Sequence, residues 1–157
     1  MKLLGVIEED FVNYKEPTFS LLFPFCSMKC NTESGREVCH NTNIDNGKLL
    51  DLSNDLIIQK YLKSEISHNI CMYGMEPMDS WKEVISFIHD FRKVSNDNIL
   101  IYTGFYKHEI TDKIKELKKY KNIIVKFGRY IPNQKSIEDK ILGITLASDN
   151  QWAEKIS

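Results

Sequence analysis

Three of the chain's four cysteines, Cys26, Cys30 and Cys39, lie within fourteen positions, and His40 directly follows the last of them in "FPFCSMKCNTESGREVCHN" (23–41). Four protein ligands make a structural zinc site, and Cys26, Cys30, Cys39 and His40 would supply a Cys3His set. Neighbouring side chains diverge, however, which makes Cys39 and His40 awkward joint ligands of one tetrahedral ion. A second reading is three buried, unliganded thiols, but "NTESGREVCH" (31–40) is too polar for a core. The third is a [4Fe–4S] cluster held by three thiolates, which leaves one iron without a protein ligand and able to take a small molecule. Cys71 stands apart inside the apolar run "NICMYG" (69–74) and reads as a small hydrophobe in the core.

Composition sets the surroundings for that chemistry. With 157 residues, 42% of them apolar, the chain has the length of one domain and can bury a core without disulfide staples, so 1–157 is expected to be a single domain. Its 21 basic and 22 acidic residues leave a formal net charge of −1, which gives no footprint for nucleic acid or an anionic membrane. No apolar run approaches the roughly 20 residues of a membrane span, and "MKLLGVIEEDF" meets acidic residues too soon for a signal peptide. A cytoplasmic protein is expected, and in a reducing cytosol clustered cysteines serve metals or redox chemistry before disulfides.

The elements that must position the cysteines follow from periodicity. "TFSLLFPF" (18–25), "HNICMYG" (68–74), "NILIYTG" (98–104) and "NIIVKFG" (122–128) read as strands, three of them ending in glycine. "LSNDLIIQKYLKSEI", "MDSWKEVISFIHDFRKV" and "KHEITDKIKELKKY" place apolar residues three and four apart and read as helices, with Asp79 or Ser80 available to cap the second. Strand and helix alternating every 25 to 30 residues or so predicts βαβ connections and a parallel sheet. Ligands of such sheets collect at the carboxyl ends of the strands. The cysteines, "YGMEP", "YTG" and "KFG" all follow strand ends and are expected on one rim.

On these residues the chain resembles the radical S-adenosylmethionine (SAM) superfamily, and within it the activating proteins of anaerobic ribonucleoside-triphosphate reductase. The family pattern Cys-x3-Cys-x2-Cys, often continuing into His-Asn, is similar to Cys26, Cys30 and Cys39-His40-Asn41, with an extended cysteine loop of eight residues between Cys30 and Cys39 in place of two. Added loop length costs little closure entropy, so the extra residues read as an insertion between ligands. Gly74-Met75-Glu76-Pro77 resembles the family's Gly-Gly-Glu-Pro, and "IYTGFY", "GRYIP" and "TLASDNQ" resemble its later strand ends and closing segment.

The resemblance implies an α/β fold, an open partial (β/α) barrel of the radical SAM type with a mostly parallel sheet and outer helices. It implies a [4Fe–4S] cluster on Cys26, Cys30 and Cys39, with SAM as the second cofactor. Gly74, Met75 and Glu76 would meet the SAM amino group, Val38 would pack on adenine, and Tyr102, Thr103 and Lys126 would make polar contacts to the nucleoside and carboxylate. The residues alone also allow plainer roles: Glu76 a charge at a helix start, Val38 and His40 loop residues, Tyr102 part of the wall and Lys126 solvated. The implied function is reductive cleavage of SAM and formation of a glycyl radical on a large glycyl-radical reductase subunit, with flavodoxin or ferredoxin as electron donor. A radical SAM enzyme acting on another protein or peptide, a member that binds a cluster but no longer cleaves SAM, and a zinc-stabilised interaction module are the alternatives.

Overall fold

Each strand that is buried on both faces needs a crossover to return the chain to the same end of the sheet, and the amphipathic helices supply it. The computed structural model describes residues 1–39, 41 and 48–157. Its elements run β1 (Lys2–Leu3), β2 (Gly5–Asp10), β3 (Thr18–Phe23), α1 (Lys29–Ser34), β4 (Leu50–Asp51), α2 (Asn54–Leu62), β5 (Ile70–Gly74), α3 (Trp81–Phe91), β6 (Ile99–Tyr102), α4 (Thr111–Leu117), β7 (Ile123–Phe127), β8 (Ile137–Asp139), β9 (Ile144–Leu146) and β10 (Trp152–Lys155). The central sheet has the order β10-β7-β6-β5-β3-β2. Its four inner strands are parallel, and β2 and β10 close the two edges antiparallel. The result is a mixed α/β fold around a mostly parallel sheet.

Register divides the sheet into two faces. Phe19, Ile70, Ile99 and Ile123 lie side by side across the strands, and two residues further on so do Leu21, Met72, Ile101 and Val125. These rows face Ile57, Val84, Phe87, Phe91, Ile114 and Leu117 of the helices in one continuous core. The opposite row, Ser20, Cys71, Leu100 and Ile124, is covered by loop and hairpin instead: Tyr14, Leu142 and Leu146 pack there. Cys71 is fully buried in that layer, as its apolar neighbours predicted.

Local chemistry sets the helix starts, with two departures from expectation. Ser53 caps α2 by accepting from the Leu56 N–H at 3.2 Å. Neither Asp79 nor Ser80 caps α3 through its side chain. A 3-10 turn, Pro77–Ser80, leads into that helix, and Glu76 caps the turn while Asp79 accepts from the Ser27 N–H at 2.6 Å. Residues 29–34, expected to be loop, form α1, which ends where Gly35 adopts φ 64°.

Candidate metal centre at the strand ends

Moving along the second face toward the carboxyl ends of the strands, the side chains change from apolar to polar. Cys71 is followed two residues on by Tyr73, Leu100 by Tyr102 and Ile124 by Lys126, and strand alternation returns each pair to the same face. Tyr102 and Lys126 are register partners, and the Tyr73 and Tyr102 rings are 6.4 Å apart. These three side chains border a cavity of about 540 Å³ that Cys26, Cys30 and Cys39 also line. Gly74, Met75, Glu76 and Thr103 reach the same cavity. Val38 does not; it borders a neighbouring groove with Tyr130 and Pro132. His40 lies outside the described residues.

Each of the three thiols is half-buried, and each sulfur accepts a backbone N–H. Met28, held in the left-handed region at φ 54°, donates to Cys26 Sγ at 3.2 Å. Tyr130 donates to Cys30 Sγ, and Asn41 to Cys39 Sγ at 3.4 Å. Backbone N–H groups aimed at sulfur stabilise negative charge there and are among the features that set the potential of iron–sulfur centres. Burial raises the Cys26 thiol to about 11 and raises Cys30 as well. A bound cation opposes that shift, because a coordinating thiol is deprotonated outright. Among the described residues no group of three or more His, Cys, Asp or Glu side chains could hold a single metal ion. Thiols that share a cavity can each take a different iron of a cluster.

Glu76 and Lys126 are both more than nine-tenths buried. Burial pushes the Glu76 carboxyl up to about 7, although its oxygens accept from the Met78 N–H at 3.0 Å and the Gly104 N–H at 2.8 Å. Burial pulls the Lys126 ammonium down to about 8 against the attraction of Glu76. The ammonium donates to the Gly128 carbonyl at 3.0 Å. Glu76 therefore does the work of a turn cap and also fastens β5 to the end of β6. Thr103 accepts from the Phe105 N–H at 3.0 Å, and the Tyr102 hydroxyl donates to the Asn13 carbonyl.

Glycine at 74 has a structural cause. Its φ is 110°, and a Cβ there would stand 2.7 Å from the Phe23 nitrogen and 2.8 Å from the Phe23 oxygen. The Gly74 carbonyl meanwhile accepts from the Asn41 side chain at 2.8 Å, which joins the third-thiol segment to the end of β5.

Several residues of the site carry no sequence signal of their own. Arg129, 3% exposed, donates to Glu109 at 2.8 Å through Nη1 and pairs with Glu33 at 2.8 Å through Nη2. The Arg129 hydrogen bonds hold the Glu109 carboxyl down at about 2. Asn150 and Gln151 donate to the Arg129 and Gly128 carbonyls at 2.8 and 3.1 Å, so "TLASDNQ" braces the end of β7. That segment stands out in the sequence only by its resemblance, and Val12 and Asn13 also line the cavity.

Parallel strands that carry clustered thiols and buried charges to one rim define a mixed α/β protein with a candidate metal centre at its strand ends. A family model described as a 4Fe-4S single cluster domain matches residues 18–151, and the chain belongs to that family. It is an iron–sulfur protein of the [4Fe–4S] type, compatible with redox catalysis. No curated protein and no solved structure matches the chain. No helix among the described residues is long and apolar enough to cross a membrane.

Proposed function

We propose that this chain is a radical SAM protein of one domain whose cluster is held by Cys26, Cys30 and Cys39 and whose SAM site is the adjoining cavity. The observation that carries the reading is the shared cavity: three thiols line it together with Gly74, Met75, Glu76, Tyr102, Thr103 and Lys126. Cys26, Cys30 and Cys39 would hold the cluster, which when bound would supply an iron open to a small molecule and one electron for reductive cleavage of the SAM sulfonium. The residues of the chain bind, orient and exclude water. Lys126 offers a cation to the SAM carboxylate, and burial makes that charge effective. Met75 and the two tyrosines provide apolar surface, and a cavity of about 540 Å³ falls within the usual range for small-ligand sites.

The proposed substrate is a backbone glycine of a large glycyl-radical reductase subunit, with flavodoxin or ferredoxin delivering the electron in an anaerobic cytoplasm. Anaerobic reconstitution followed by a SAM-cleavage assay tests this function. The reconstituted chain should release 5′-deoxyadenosine under reducing conditions, each of Cys26→Ala, Cys30→Ala and Cys39→Ala should release none, and Cys71→Ala should remain active. Full release from any one of the first three variants contradicts the ligand set.

A further inference from the structure

We propose that the spacer between the second and third thiols is a built part of the site, with Asn31 as the positioning residue that fixes Cys39. This inference rests on the reading of Cys39 as a cluster ligand. The Asn31 side-chain oxygen accepts from the Val38 N–H at 2.9 Å and from the Cys39 N–H at 3.0 Å. One carboxamide thus closes the loop between residues 31 and 39, after Gly35 has reversed the chain. The α1 part of the spacer gives no anchor in the core, because that helix buries none of its residues.

Charge anchors the helix from below. Glu33 pairs with the buried Arg129 at 2.8 Å, and Lys29 pairs with Glu109 at 3.0 Å. Arg129 also donates to the Gly104 carbonyl at 3.0 Å, so the same guanidinium joins α1 to the end of β6. Its neighbour Tyr130 gives its N–H to Cys30 Sγ. The spacer is therefore held at both ends: at Cys30 by the Arg129 clamp and at Cys39 by Asn31. Removing residues 31 to 36 would take away Asn31 and Glu33 together, so a shortened loop does not reproduce the site.

The test compares Asn31→Ala, which loses the acceptor, with Asn31→Asp, which keeps it. Cys39→Ala serves as a control on the ligand assignment. In the iron-free chain, Asn31→Ala should speed hydrogen exchange at the Val38 and Cys39 amides about tenfold, the equivalent of one hydrogen bond, with the core amides unchanged. After anaerobic reconstitution it should hold less iron and leave Cys39 open to alkylation, while Asn31→Asp should match the parent in exchange, iron content and protection. Parent-like exchange and iron content in Asn31→Ala, with iron lost in Cys39→Ala, would overturn the role of Asn31 and leave the ligand reading standing. Full iron content in Cys39→Ala would overturn both.

Discussion

The two faces of the central sheet are built to different rules. Toward the helices every row is apolar and closed to water, from Phe19, Ile70, Ile99 and Ile123 to Leu21, Met72, Ile101 and Val125. Toward the other side the rows begin with Cys71, Leu100 and Ile124 and end with Tyr73, Tyr102 and Lys126. Buried polar groups on that side are tied down singly. Asp10, for one, accepts from Val12, Asn13, Ser20 and Tyr73. Hydrocarbon burial stabilises without regard to direction, whereas a buried charge or amide needs a partner at a fixed place. The helix face can supply stability, and the other face can hold groups ready for a ligand, because the strands between them are shared.

The largest effect should come from the helix face. Phe87→Ala removes a fully buried ring that stacks on Phe91 at 5.7 Å, and should cost about 3–5 kcal/mol in denaturant unfolding. Iron bound per folded chain should stay at the parent level; a loss of iron would break the division between the faces.

Next in size is the pH dependence set by Glu76. Its folded carboxyl holds its proton to about 7 against an ordinary 4.5, so between these values the folded chain binds more protons than the unfolded one. The contribution of Glu76 to stability should be greatest below about 4.5 and be lost as pH rises to about 7, by up to about 3 kcal/mol. Glu76→Gln should flatten that slope in the iron-free chain. It also turns one backbone N–H toward an amide NH2 and should cost about 1–3 kcal/mol at low pH. An unchanged slope would show that Glu76 ionises freely.

Glu109 should behave in the opposite sense. Its carboxyl is held down at about 2, so its contribution is complete above 4.5 and disappears as pH falls toward 2. Glu109→Gln should lose about 1.5–3 kcal/mol at neutral pH, the value of a charge-assisted hydrogen bond, and lack that part of the acid limb. The smallest effect is Cys71→Ala, a small deletion in the second layer, at about 1 kcal/mol with iron binding intact.

The inner strands and the three long helices were legible because burial on both faces writes unbroken apolar runs, and glycine marks where three of them stop. The edge strands were not. Gly5–Asp10 reads "GVIEED", half exposed and acid-rich, and Trp152–Lys155 is only four residues long. Cys26, Cys30 and Cys39 announced themselves by type and spacing. α1 did not, because "NTESGR" has turn-forming composition and its helix is held by Arg129, far along the chain. Asn31 has no signature at all and Arg129 only its place in "GRYIP", since what each does depends on a partner that only the fold supplies. The place of Glu76 at the rim was legible, but its two backbone hydrogen bonds were not.

In the proposed site three thiolates hold a cluster with one iron open to SAM in the same cavity. Electron paramagnetic resonance of the anaerobically reduced, reconstituted chain, recorded with and without SAM, tests it most directly. A signal from a reduced [4Fe–4S] cluster that changes when SAM is added, and that is absent in Cys26→Ala, Cys30→Ala and Cys39→Ala, is the predicted result. An identical spectrum with and without SAM, or an undiminished signal in any one of those variants, would contradict it.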